Sequence, residues 1–261
     1  MFCAVGYRRL LKAWIDTNPD LLTALEVTAE HFFDDQELLY ELKQHYPISV
    51  HGLGLSLGSE IDIDQSTLQN FRKVAEAADA QWISEHLAFT KTKEVDLGHL
   101  NPVIPSKRSL EKIRDRCRQV VDVCQRPLLL ENITTHIKLP GELGEAEFLN
   151  ELCDQAQIAT LLDITNLFIN SRNHNFDPLD WIRQVNPRHI KQVHLVGYSK
   201  RGDKFFDNHG SAIQNELWDI FEFVNDYATI ECAIIERDLN LPAIEELETD
   251  LKKMRELSSK P

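Results

Sequence analysis

Short apolar runs alternate along this chain with longer stretches in which apolar residues recur every three or four positions. The runs fall at residues 3–6, 24–27, 48–50, 81–83, 128–130, 158–162, 190–193 and 229–235, and each reads as a strand. Between them the pattern turns helical. Leu110, Ile113, Cys117, Val120, Val121 and Cys124 share one helical face, and Ile244, Leu247, Leu251 and Met254 repeat that stripe near the end of the chain. Asp177 before Pro178 marks a helix start, a capping carboxylate followed by proline at the first helical position, and Asp64 precedes an earlier helix in the same way. Eight strands separated by helices predict parallel strands joined by right-handed crossovers. The expected fold is α/β, a single (β/α)8 TIM-like barrel over residues 1–261, with no linker or composition break to divide it.

The residues that end these runs repeat in kind. His51, His86, Glu131, Asp163, His194 and Glu236 close strands three to eight, the end at which such barrels build their sites. Phe206-Asp-Asn-His209 adds Asp207 and His209, and Asn166 and His174 are weaker additions. Singly, each has a plainer role: a histidine at a strand end is often a hydrogen-bonded structural group, and an aspartate there often caps the next helix. Together they differ. Four carboxylates at one mouth would repel each other and lose hydration. The basic residues next to these motifs are Lys200, Arg201 and Arg237, and strand alternation turns Arg237 away from Glu236. A divalent or trivalent metal resolves the conflict. Imidazole and carboxylate donors without thiolate exclude a cysteine-rich structural zinc site and suit iron, manganese or catalytic zinc. The donors outnumber what one ion can use, so two or three ions, with Glu131 or Asp163 bridging, fit better.

A formal charge of −14 argues against a nucleic-acid partner, since Lys107-Arg108 and Lys200-Arg201 are the longest basic clusters. No apolar run is long enough to span a bilayer, and the first residues lack the pattern of a signal peptide. A cytoplasmic location is therefore expected. Cys3, Cys117, Cys124, Cys153 and Cys232 form no C-x-x-C pair and read as small buried hydrophobes in a reducing compartment.

The string His51-Gly-Leu-Gly-Leu-Ser-Leu-Gly-Ser59 resembles the signature of the multinuclear non-heme iron-dependent oxidative enzymes, the family that includes the iron subunit of the methanobactin-biosynthesis oxidase. The likeness continues in order through Ser84-Glu-His-Leu-Ala88, Leu129-Leu-Glu-Asn132, Leu161-Leu-Asp-Ile-Thr-Asn166 and Asn173-His174 with Phe176-Asp177. It then runs through His194-Leu-Val-Gly197, Asp207-Asn-His209 and Ile235-Glu236, with a looser match at Glu26-Val-Thr-Ala-Glu30. The resemblance implies a TIM-like barrel with two or three irons in ferrous and ferric states. It groups His51, His86 and Glu131 as one site, Glu131, Asp163, His194 and Glu236 as a second, and Asp207 and His209, with Asn166 or His174, as a third. It implies oxygen-dependent oxidation of a residue, often cysteine, in a ribosomally made precursor peptide, with His51, Glu131 and Asp163 catalytic. A separate protein that presents the peptide leader is the implied partner.

Four positions depart from that pattern: Tyr198 stands where a second histidine is common, Asn175 where glycine is usual, His31 where asparagine is frequent and His136 where an aromatic residue is common. They bear on substrate more than on metal. Gly54-Leu-Ser-Leu-Gly58 also matches the G-x-S-x-G elbow of serine hydrolases, but the residues after Ser56 read as loop rather than helix. The stronger rival is a divalent-metal isomerase or phosphodiesterase of the xylose-isomerase type, which would use similar donors without oxygen. A metal- or peptide-binding module that has lost catalysis is the non-enzymatic alternative.

Overall fold

The computed structural model describes residues 1–239, 241 and 244–259. The chain opens with four barrel strands, β1 (Phe2–Gly6), β2 (Ala24–Thr28), β3 (Ile48–Gly52) and β4 (Ile83–His86). A hairpin of β5 (Ala88–Lys91) and β6 (Asp96–Pro102) follows, then barrel strands β7 (Leu128–Glu131), β8 (Ala159–Asp163) and β9 (Ile190–Leu195). A second hairpin, β10 (Gly197–Arg201) and β11 (Lys204–Ser211), precedes the last barrel strand, β12 (Cys232–Ile235). The eight barrel strands pair in parallel and close in the order β1-β12-β9-β8-β7-β4-β3-β2. This is the expected (β/α)8 ring, sealed where Val5 lies opposite Ile235.

Among the described residues nine α-helices pack outside it: α1 (Lys12–Thr17), α2 (Glu37–Leu42), α3 (Gln65–Ala77), α4 (Lys107–Cys124), α5 (Glu145–Ala156), α6 (Ile164–His174), α7 (Pro178–Gln184), α8 (Asn215–Tyr227) and α9 (Ile244–Ser258). The stripe on α4 buries Leu110, Ile113, Cys117, Val120 and Cys124, and α9 buries Leu247, Leu251 and Met254. Asp64 caps α3 by accepting the Thr67 N–H, and Asp177 caps α7 ahead of Pro178. All five cysteines are buried and free. Among the described residues no helix is long and apolar enough to cross a membrane.

The two hairpins were not legible as strands, because each leaves the barrel directly after a strand end and lies over its mouth. Gly202, at φ 60°, turns the second one, a left-handed position that glycine takes without penalty. Parallel register then sets the mouth. His51 stands opposite Ser84, His86 opposite Glu131, and Asp163 opposite His194.

Candidate metal centre

Because those strands end level with one another, their last side chains meet. Glu131 Oε2 lies 3.4 Å from His51 Nε2 and 3.4 Å from His86 Nε2. Its other oxygen, Oε1, is 3.5 Å from His194 Nδ1, which is itself 3.1 Å from Glu236 Oε2. His51, His86 and Glu131 offer donor atoms within 4.8 Å of one another, and so do Glu131, Asp163, His194 and Glu236. All six residues are buried. Glu131 belongs to both groups.

A third group joins His209, Glu236 and Asp238. Backbone geometry places it: the N–H groups of Asp238 and Leu239, just past β12, both donate to the His209 carbonyl on β11. That staple holds the second hairpin against the barrel rim. His209 Nδ1 lies 3.2 Å from Asp238 Oδ2 and 3.8 Å from Glu236 Oε2, while its Nε2 is 2.8 Å from Asp207 Oδ2.

Each barrel histidine is oriented by a neighbour on the side away from the carboxylates. His51 Nδ1 is 2.9 Å from Ser84 Oγ, and His86 Nδ1 is 3.3 Å from Glu85 Oε1. His194 reverses the arrangement, with Nε2 2.8 Å from Glu26 Oε1. The nitrogens turned toward the carboxylates are therefore Nε2 of His51 and His86 and Nδ1 of His194. Such partners fix tautomer and ring orientation in metal sites.

The electrostatics follow from burial and crowding. Burial works against charge on His86, but Glu131 and Glu85 beside it raise its pKa to about 9. His194 is raised well above the ordinary histidine value, where Glu26, Glu131 and Glu236 overcome burial. His209 is pushed up to about 12, since Glu236, Asp207 and Asp238 outweigh the same penalty. Glu131 answers in the other direction: burial would raise it, yet His86, His194 and His51 hold it at about 2. Asp163 is raised by burial and by the Glu131 and Asp207 charges. Without a metal, His86, His194 and His209 therefore hold their protons more tightly than ordinary histidines, and Asp163 holds its own more tightly than an ordinary carboxyl.

The pairing is incomplete. Glu131 Oε2, Asp163 Oδ2, His194 Nδ1, Asp207 Oδ1 and His209 Nδ1 are buried without a hydrogen-bond partner. An orphaned buried polar atom costs roughly 1–3 kcal/mol, and native proteins contain few of them. Five in one cluster of nitrogen and carboxylate donors fit a bound cation.

A profile of the RiPP precursor modification enzymes MbnB/TglH/ChrH matches residues 3–259. The chain belongs to that family.

A UPF0276 protein of Pseudomonas aeruginosa is 32% identical to it over 221 residues, 83% of this chain and 76% of the relative. A UPF0276 protein of Chromobacterium violaceum is 30% identical over 256 residues, 96% of this chain and 92% of the relative. Among solved structures, endonuclease IV from Thermus thermophilus covers 98% of each chain at 16% identity and a TM-score of 0.64. The 3-keto-D-glucoside 4-epimerase from E. coli covers 98% of this chain and 99% of its own at 13% identity and a TM-score of 0.62. At those identities the likeness is one of fold.

Two of the residues expected at the site, Asn166 and His174, also make side-chain contacts to the segment leaving β7. Asn166 accepts the Thr134 hydroxyl, and its side-chain amide donates to the Asn132 carbonyl over 3.2 Å. His174 Nε2 sits 2.8 Å from the Thr135 carbonyl. Asn170 lies between them, with Oδ1 accepting the Thr135 N–H at 2.7 Å and Nδ2 donating to the Ile133 carbonyl at 2.8 Å. Four-residue spacing puts the three on one face of α6, where they grip the segment leaving β7. His174 lies outside the His and carboxylate groups, while Asn166 stays beside them, its backbone N–H donating to Asp163 Oδ1 at 2.6 Å.

Other residues enter the site unannounced. Asp238 joins the third group, Glu26 and Glu85 orient histidines, and Arg8 reaches across from the end of β1. Its Nε donates to Asp238 Oδ1 at 2.6 Å, and its guanidinium lies 3.8 Å from Glu236 Oε1. Arg237 turns outward, as alternation requires, to Glu246 at 2.7 Å. Tyr198 faces away as well, stacked on Phe168 with its hydroxyl donating to Glu216 Oε1. Asn175 takes the left-handed conformation at φ 65° and ends α6. Ser56 accepts the Thr90 N–H at 2.7 Å, the role of a strut for β5 rather than a nucleophile.

Proposed function

We propose that this family member is an oxygen-dependent iron oxidase that modifies a residue, in this family often cysteine, of a ribosomally made precursor peptide. One observation carries the reading: Glu131 is shared by two groups of buried donors whose orphaned atoms converge. A single carboxylate common to two groups is the arrangement of a bridging ligand between neighbouring ions. His51, His86 and Glu131 would hold one iron, and Glu131, Asp163, His194 and Glu236 a second. His209, Glu236 and Asp238, with Asp207 beside them, would hold a third. Bound there, iron supplies the electron transfer and the activation of molecular oxygen that such an oxidation requires.

The chain's own side chains do the rest. His51, Glu131 and Asp163 are the residues on which activity depends most, since the first two groups lose donors without them. Glu26, Ser84 and Glu85 hold the imidazoles in the ligating tautomer. Arg8 offsets negative charge at the rim where the peptide arrives. A separate protein presents the leader of that peptide.

The test is oxygen uptake by the iron-reconstituted chain with a panel of cysteine-containing peptides, each product weighed by mass spectrometry. Uptake coupled to a defined mass change, abolished in His51→Ala and Glu131→Gln, is the expected result. Iron content and oxygen uptake that both survive these substitutions would sink the reading.

A further inference from the structure

Below the donor cluster the barrel interior carries further polar side chains. Strand alternation puts Gln192 two residues beneath His194 on β9, and Trp82, just ahead of β4, four beneath His86. Gln192 is buried, and Trp82 packs on Ala4, Ala24, Cys232 and Ile234 at the barrel floor. These side chains form one hydrogen-bonded chain. Trp82 Nε1 donates to Gln192 Oε1 at 2.5 Å, Gln192 Nε2 donates to Glu26 Oε2 at 2.6 Å, and Glu26 Oε1 lies 2.8 Å from His194 Nε2. The floor is thereby joined to a member of the donor cluster.

Chemistry sets the direction of this chain. An indole N–H only donates, a carboxylate oxygen only accepts, and a glutamine amide has one end of each kind. With its oxygen on Trp82 and its nitrogen on Glu26, Gln192 satisfies both neighbours. Turned over, the amide would set its NH2 against the indole N–H and its oxygen against Glu26 Oε2. It would also bring that oxygen to His194, whose Nε2 lies 3.1 Å from the present position of Gln192 Nε2. Gln192 would then compete with Glu26 for the imidazole N–H and draw the ring off its carboxylate. The Trp82 N–H anchors the amide oxygen on the far side and opposes that turn.

We propose that Trp82 is a positioning residue for the metal centre. Acting through Gln192 and Glu26, it keeps His194 Nδ1 turned toward Glu131 and Glu236. The inference rests on the metal-binding reading of the donor cluster and extends control of that cluster to the opposite end of the barrel. Its N–H is the atom that matters, since the ring's packing is shared with the apolar floor.

The test uses the full chain with ¹⁵N-labelled histidines, loaded with zinc as a diamagnetic probe. Trp82 is replaced by Phe and, separately, by 3-benzothienylalanine, which copies the shape of the indole with sulfur in place of the N–H. Zinc affinity is read by chelator competition, folding by thermal melts, and the state of His194 by its ring-nitrogen signals, assigned with His194→Gln. The wild type should hold His194 with zinc on Nδ1 and hydrogen on Nε2. The benzothienyl variant should stay folded and bind zinc roughly two- to tenfold more weakly, less than the loss of a ligand's direct partner. It should also show a second His194 state not bound through Nδ1, and Trp82→Phe should repeat both effects if it folds. A folded benzothienyl variant with wild-type affinity and a single His194 state overturns the role. Weaker binding with His194 unchanged overturns it as well, because Trp82 then acts by packing alone. Either result on a wild type that loads zinc removes Trp82 and leaves the metal centre standing, whereas a wild type that takes up neither zinc nor iron removes the reading beneath it.

Discussion

Glu26 Oε1 lies 2.8 Å from His194 Nε2, and the imidazole therefore presents Nδ1 to Glu131 and Glu236. Glu26 is held in turn, with Oε2 accepting from Gln192 Nε2 at 2.6 Å and from Ser49 Oγ at 3.3 Å. A carboxylate behind a ligating histidine typically accounts for 10- to 100-fold in metal affinity, roughly. Glu26→Ala should lower iron affinity by that order in a chelator competition while the barrel stays folded. Glu26→Gln, which keeps an oxygen acceptor, should recover part of the loss. Unchanged affinity in both variants would remove Glu26 from the site.

Metal uptake should release protons. At pH 7 the metal-free cluster keeps a proton on His86, whose pKa is about 9, and on His194 and His209, both raised. Each must lose it to ligate, so affinity should rise with pH through about 9 and on toward about 12. Calorimetry in two buffers of different ionisation heat should show roughly three to four protons released per loaded chain, from these histidines and from Asp163, which is also raised. Equal heats in both buffers would contradict this.

The same shifts set the stability of the metal-free protein. His86 is raised from 6.5, so its contribution is complete below that value and fades as pH climbs through about 9. Glu131 is lowered from 4.5, so its contribution is complete above that value and fades as pH falls toward about 2. Chelator-treated protein should melt highest between these limits, at pH 4.5–6.5, and bound iron should flatten the profile on the alkaline side.

Asp250 is a liability away from the site. Burial lifts its pKa to about 6, and its Oδ2 accepts the Ile213 N–H at 3.3 Å. Because the folded value exceeds the ordinary 3.8, stability falls as pH rises between the two and stays lowered above them. Asp250→Asn keeps an acceptor and removes the charge. It should stabilise the protein by about 1–2 kcal/mol at pH 7, allowing for solvent screening, and by nothing at pH 3. Thermal melts at the two pH values check it.

The ladder on α6 separates structural from ligating roles. Asn170→Ala should cost about 1–3 kcal/mol and speed hydrogen exchange at residues 133–135, because two buried hydrogen bonds to that segment are lost. His174→Ala should leave the iron content unchanged. Loss of an ion from that variant would return His174 to the donor set.

The barrel and most of the cluster were legible because apolar strands ending in His, Asp or Glu recur at the spacing of a βα unit. Asp163 shows how far such reading goes. It reads as a helix cap or a metal donor, and the two roles fall on different oxygens: one accepts the Asn166 N–H at 2.6 Å, and the other is orphaned and free for a cation. Glu26 was hidden because it sits inside its apolar run, where a polar residue ordinarily marks an outward position. Asp238 and Arg8 lie in irregular segments after β12 and β1, and a staple from β11 sets the first of these. For Asn166 and His174 packing adds that the four-residue period of α6 sets both against the segment leaving β7. The likeness of motif orders residues along the chain, and only packing says where a side chain turns.

The central claim is that Glu131 joins two irons. Reconstitute the chain with ⁵⁷Fe, remove loosely held metal, count the ions by mass spectrometry and record Mössbauer spectra. The account predicts two or three irons per chain with antiferromagnetic coupling between at least two, and loss of that coupling in Glu131→Gln. A single zinc or manganese with no stable iron would contradict it and point to the isomerase or phosphodiesterase chemistry of other metal-dependent barrels.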